Sequence, residues 1–166
     1  MIRLTTQGDV AANVLEWIER DRKLAFVDRL GWPLRHKDGR ERDQFDSPST
    51  LILLAGDPLV FSLRILSEQH SMVRSLWAEV SGHIEPGSHE MSRWVSHGSH
   101  PLSATREHVR GMMALFRGLE WFDMFSIATD RVERAHGVMG MKPTEKFSVA
   151  PDVNFCKWNL REQLTG

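Results

Sequence analysis

The sequence holds a single cysteine, Cys156, so no disulfide can form within the chain, and no stretch approaches the roughly 20 apolar residues that a membrane helix requires. Neither sign of charge dominates: 21 Lys and Arg face 22 Asp and Glu, for a formal charge of -1. Such a balance gives no global field to draw the chain onto nucleic acid or anionic lipid, and recognition by charge must be local. Repeats, low-complexity tracts and Gly/Ser/Pro linkers are missing, and the opening MIRLTTQGDV has no apolar centre of the signal-peptide kind. These absences predict a cytoplasmic protein with no nucleic-acid or membrane partner. What is present, 41% apolar and 26% charged residues over 166, fits one globular domain spanning residues 1–166.

Several chemistries are also short of residues. No Walker loop, G-x-G-x-x-G, G-x-S-x-G or H-E-x-x-H occurs. Five of the eight histidines crowd positions 83–108, but their spacing is irregular and no cysteine joins them, so no metal is expected. Cys156, in an apolar strand-like stretch, makes a poor nucleophile.

Periodicity supplies the elements. Residues 2–6 read as a strand, and a helix over 10–30 is predicted from Val14, Ile18, Phe26 and Leu30, with Asp9 placed to cap it and Gly31 to end it. Residues 35–49 read as a long polar loop. LILLA and LVFSLRI flank a Gly-Asp-Pro turn as two strands, the second carrying Arg64 on an otherwise small or apolar face. A helix over 71–80, a strand at 89–96, a helix whose stripe is Val109, Met112, Met113, Phe116 and Leu119, and a buried strand at 124–129 follow. Ser103 or Thr105 is placed to cap the third helix, and Asp130 with Glu133 resembles a capping box for a short fourth one. Late strands at 147–151 and 155–160 complete an alternation that implies a mixed sheet covered on both faces.

Charged residues within these elements are the candidates for chemistry. Arg22 shares a helix face with Ile18 and Phe26, which means either a buried partner or a snorkelling side chain at the core's edge. Asp43 and Asp46 stand three apart in the loop, suited to one cationic ligand or to ordinary turn formation. Trp32 beside Gly31 and Pro33 either closes the core or faces a purine or a cation. Glu90 and Arg93 sit inside a predicted strand, where charge must be compensated unless the strand is an edge. Positions three apart face opposite ways on a regular strand, so one shared site would need a bulge.

Taken in order, Arg22, Phe26, Trp32, Asp43, Asp46, Arg64, Glu90 and Arg93, in the contexts RLGW, ERDQFD, LRIL and EMSRW, resemble the acyl-homoserine-lactone synthase (autoinducer synthase) family. All eight of that family's spaced positions are present. Departures are Ser62 where the family commonly has glycine, Met91 and Trp94 within the glutamate motif, and a chain short for the family. The resemblance implies an α/β fold of the N-acetyltransferase type, a three-layer αβα sandwich around a mixed, V-shaped sheet. It implies transfer of an acyl group from an acyl-carrier protein or CoA thioester to the amine of S-adenosylmethionine, followed by lactone closure and release of methylthioadenosine. Both molecules are substrates, and no cofactor is implied.

Under that resemblance Glu90 is the expected base, Asp43 and Asp46 position the cationic substrate, and Arg22, Phe26 and Trp32 close over it, while Arg64 and Arg93 orient the carboxylates. Arg106 and Arg110 are candidates for the donor's phosphate at a helix N-terminus. Met112, Phe116, Met124 and Ser126 are candidates for the acyl pocket, with Met113 nearby. The alternatives are another N-acyltransferase of this fold acting on a free amino acid, and a non-catalytic ligand-binding relative.

Overall fold

The apolar runs of 51–55 and 59–65, parted by Gly56, Asp57 and Pro58, form a hairpin, and it organises the first of two units in the computed structural model, which describes residues 1–161. This unit comprises Met1–Ile65 and Arg93–His100. Its elements are β1 (Ile2–Thr6), α1 (Ala12–Arg22), the short β2 (His36–Lys37) and β3 (Arg40–Glu41), β4 (Leu51–Gly56), most of β5 (Leu59–Ser67) and the second half of β6 (His89–Ser96). β4 runs antiparallel to β1, with Leu4 opposite Leu53, and to β5, with Leu53 opposite Leu63. β6 neighbours β5, and just past its end the His97 N–H donates to the Val60 carbonyl at 2.8 Å. Val10, Ile18 and Ile52 make this unit's apolar core, with Val14, Leu15, Leu54 and Leu59 packed against it.

Three local expectations change here. Asp9 caps nothing, because its carboxylate accepts the Thr6 hydroxyl at 2.6 Å within a 3-10 turn and Ala11 precedes α1 instead. The helix predicted over 10–30 is regular only to Arg22 and then widens into a π-helix over Lys23–Arg29, with the Leu30 N–H reaching back five residues to the Ala25 carbonyl. The polar stretch 35–49 holds the β2–β3 hairpin, turned at Asp38 and Gly39 with φ of +52° and +73°, the pairing that an Asp-Gly dipeptide favours.

The second unit comprises Leu66–Ser92 and the chain from Pro101 onward. It contains α2 (Met72–Leu76), the first half of β6, α3 (Leu102–Gly118), β7 (Asp123–Thr129), α4 (Asp130–Val138), β8 (Glu145–Ala150) and β9 (Val153–Asn159). β6 pairs parallel with β7, His89 opposite Met124, a connection that needs a crossover such as α3 provides. β7 and β8 both run antiparallel to β9. Parallel and antiparallel ladders with helices between them make this a mixed α/β fold. Val73, Val80, Ile84, Phe125 and Phe155 form its core, with Trp77 and Phe147 against them.

The helix predicted over 71–80 shortens to one turn and a half before a 3-10 stretch over Ala78–His83. α3 begins directly after Pro101, so Ser103 and Thr105 lie inside its first turn, and α4 is capped by Thr129, whose hydroxyl accepts from the Val132 N–H, rather than by Asp130. Among the described residues no helix is long and apolar enough to cross a membrane.

Candidate active site

Helical spacing drives Arg22 inward beside Ile18 and Phe26, and the residue ends 1% exposed. A buried cation needs partners. Its Nη1 and Nη2 donate to the two oxygens of Asp46 at 2.9 and 2.8 Å, and its Nε donates to Glu41 at 2.6 Å. Arg64 grips Asp43 through both terminal nitrogens, at 2.6 and 3.1 Å, and lies 3.2 Å from Asp46. Arg93 donates to Glu41 at 3.1 Å and to Asp43 at 2.9 Å. Three arginines and three carboxylates thus alternate in one neutral array, with every acid shared between two arginines.

Neutral donors complete it. Gln7 Nε2 and the Asp43 N–H reach Asp46 at 2.9 Å each, and the Phe45 N–H reaches Asp43 at 2.8 Å. Arg93 takes the left-handed backbone conformation, φ +53°, which costs a non-glycine residue roughly 1 to 2 kcal/mol and is offset here by its two acid partners. Burial acts against the charge of Asp46, yet the hydrogen bonds and charge of Arg22, with Arg64 and Gln7, hold this carboxyl far below its ordinary range. Burial likewise opposes charge on Arg22, and Asp46 and Glu41 overcome it, so Arg22 holds its proton more firmly than usual. At Arg93 burial prevails over Glu41, aided by Arg64, and leaves its proton held less firmly than usual.

Aromatic rings line the array. The Arg93 guanidinium lies 5.7 Å from the centroid of Phe26, and Arg64 lies 5.6 Å from that of Phe45. Trp32 stacks on Phe26 at 5.4 Å, fixed by its N–H to the Phe26 carbonyl across the wide turn that ends the π-helix. Asp43, 16% exposed at its side chain, is the acid of the array that reaches the surface.

The family model for autoinducer synthases matches residues 8–97, more than half of the chain and all of the array except Gln7. The chain belongs to the autoinducer synthase family. Solved structures agree on the fold of this family member. The AHL synthase LasI superposes with a TM-score of 0.75 at 16% identity, over 96% of this chain and 89% of that one. BjaI, a CoA-dependent acyl-homoserine lactone synthase solved with SAM and isopentyl-CoA, gives 0.77 at 20% identity, over 98% and 84%. An acyl-CoA N-acyltransferase from Pseudomonas aeruginosa gives 0.59 at 18%, over 95% and 97%. No curated protein matches by sequence.

Of the eight positions read from the sequence, this autoinducer synthase family member brings Arg22, Asp43, Asp46, Arg64 and Arg93 into one array with Phe26 and Trp32 against it. Glu90 belongs to the second unit. There it is fully buried, and its Oε2 accepts from the Ser71 hydroxyl at 2.8 Å and the Val73 N–H at 3.1 Å. Ser71 is thereby fixed at the start of α2, which it caps by accepting from the Arg74 N–H. Met112 and Phe116 are buried on α3, and Met124 and Ser126 on one face of β7. Arg106 and Arg110 are exposed on α3, with Arg106 Nε donating to the Val138 carbonyl at 2.9 Å.

Glu41 and Gln7 escaped the sequence reading. Glu41 lies in a polar run, RHKDGRERD, where nothing separates a solvated acid from a buried one except the Asp-Gly turn, which closes a hairpin and carries Glu41 inward. Gln7 had no signal.

Proposed function

We propose that this chain is an acyl-homoserine-lactone synthase: it acylates the amine of S-adenosylmethionine from an acyl thioester and then closes the lactone. The observation that carries this reading is the neutral array of Arg22, Arg64 and Arg93 with Glu41, Asp43 and Asp46, within the span that matches the family. Charges buried so completely are expensive unless paired and hydrogen-bonded, as these are, and such pairing fixes their geometry. Asp43, at the surface of the array, receives the cationic amino acid, and Phe26 and Trp32 offer rings to its sulfonium and purine.

The substrate's amine arrives protonated and needs a base. Glu90 serves, through a water that carries the proton to its buried carboxylate, which the Ser71 hydroxyl and the Val73 amide hold in place. The freed nitrogen lone pair attacks the thioester carbonyl, the amide forms and the thiolate leaves with a proton. The methionyl carboxylate then attacks its own Cγ, the bond to the sulfonium breaks, and lactone and methylthioadenosine separate. Arg22, Arg64 and Arg93 hold the carboxylates in position throughout. Met112, Phe116 and Met124 accommodate the acyl chain, and the buried Ser126 hydroxyl, without a hydrogen-bond partner among the described residues, suits an oxygen-bearing one. Arg106 and Arg110 attract the donor's phosphate, whether on CoA or on an acyl-carrier protein. Both reactants are consumed as substrates in the cytoplasm, with no cofactor, nucleic acid or membrane involved.

Purified chain incubated with S-adenosylmethionine, a mixture of free amino acids and a panel of acyl-CoA and acyl-carrier thioesters is expected to release methylthioadenosine and acyl-homoserine lactone in equal amounts by mass spectrometry. An acylated free amino acid without methylthioadenosine would point instead to the N-acyltransferase alternative. Ligand binding without turnover of any thioester would point to a silent relative.

A further inference from the structure

Beside the ionic array runs a second hydrogen-bonded chain within the same unit. Ser62 Oγ lies 2.8 Å from His97 Nε2, and His97 Nδ1 lies 2.6 Å from Asp21 Oδ2. A carboxylate can only accept, so Nδ1–H donates to Asp21, and in the neutral ring Nε2 accepts the Ser62 hydroxyl proton. The order Ser–His–Asp is that of a hydrolytic triad, but the exposure is reversed. Ser62 is 1% and His97 0% exposed, whereas the Asp21 side chain is 23% exposed. A nucleophile must meet its substrate, and here the buried end is the serine.

The placement of the three residues suggests another role. Asp21 adjoins Arg22 on α1, Ser62 is two residues from Arg64 on the same face of β5, and His97 follows the strand that carries Arg93. The three elements joined by this chain are therefore the three that supply the array's arginines. The β5–β6 spacing is already set by the sheet, but α1 could still rotate about its axis. Successive helical residues point about 100° apart, so ties at both Asp21 and Arg22 fix that rotation. Trp17, one turn before Asp21, adds its ring 4.9 Å from that of His97.

We infer that Asp21, His97 and Ser62 are positioning residues that fix α1 against β5 and β6 and so hold Arg22, Arg64 and Arg93 at the spacing that binds the amino-acid substrate. The inference rests on the function proposed above. Ser62→Ala and Asp21→Ala are each expected to raise KM for S-adenosylmethionine roughly 3- to 10-fold, the share of one buried hydrogen bond, and the double variant no further, because one chain is cut in either place. The kcat and the KM for the thioester are expected to stay within about twofold, and Ser62→Cys, a weaker donor of similar size, to fall between.

Single variants that match wild type, effects that multiply in the double variant, or equal rises in both KM values with a falling Tm would overturn the inference. Should Ser62→Ala fail to fold, Ser62→Cys carries the same comparison. Should wild-type protein release no methylthioadenosine, the functional reading fails and the positioning claim is judged by NMR: the Arg22 Nε–H resonance is expected to shift or broaden in Ser62→Cys, and an unchanged resonance would refute it.

Discussion

Glu90 and Asp46 are both buried carboxylates, yet their surroundings assign them different work. Asp46 is gripped through both oxygens by the Arg22 guanidinium, which locks it as an anion, whereas Glu90 Oε2 accepts from the Ser71 hydroxyl and the Val73 amide. Glu90→Gln keeps the size of the side chain and removes the base. Its kcat is expected to fall about 10²- to 10⁴-fold with KM for S-adenosylmethionine nearly unchanged, and a kcat close to wild type would remove Glu90 from the mechanism. Asp46→Asn takes one charge from a balanced array and leaves Arg22 short of compensation. Urea unfolding should show a loss of about 3 to 5 kcal/mol, and a loss under about 1 kcal/mol would mean that water or a rearranged partner already satisfies the arginine.

Elements deliver these side chains, and the β2–β3 hairpin does so for Glu41. Gly39 turns it at φ +73° with nothing within 4 Å of where a Cβ would stand, so Gly39→Ala meets conformational cost alone, roughly 1 kcal/mol. Gly56, at φ +102°, would place a Cβ 2.5 Å from the Pro58 carbonyl oxygen, so Gly56→Ala is expected to destabilise the chain well beyond the Gly39 variant. Equal losses in denaturant would show that the β4–β5 turn relaxes freely. Some of this was legible in the sequence. Apolar runs flanking the Gly-Asp-Pro turn, with alternating faces at 60–65, specified the β4–β5 hairpin, and the spacing of Ile18, Arg22 and Phe26 put a cation on an apolar helix face. The π-helix was not legible, because moving a hydrogen bond from four to five residues back leaves no mark in the apolar pattern, and neither was Glu41, whose burial depends on what lies across the array. Ser62, His97 and Asp21 were invisible for the same reason: their partnership joins residues up to 76 apart in sequence.

At the scale of the whole molecule, the response to acid follows from groups that the fold keeps uncharged. His89, His97 and His136 all have their pKa lowered by burial, against opposing carboxylates, and His136 is pushed down to about 4 beneath the edge of the Trp158 ring. A histidine whose pKa is lower folded than unfolded contributes fully above about 6.5, because only there do both states hold it neutral. As pH falls below that value the unfolded chain takes up the proton first, and the contribution drains away until the folded ring also protonates near 4. Asp46, depressed in the folded state, loses its contribution only below the ordinary aspartate range, so its loss comes later on the same descent. Stability should therefore decline in two stages, histidine-driven from about pH 6.5 and carboxylate-driven below about 4. For His136 alone the first stage amounts to roughly 2 kcal/mol by pH 5. The loss in unfolding free energy between pH 7 and pH 5 is therefore expected to be smaller by that amount in His136→Phe, whatever the variant's absolute stability. An identical loss in the two proteins would show that His136 is protonated within the fold at pH 5, and that its pocket admits the charge that its burial is argued to exclude.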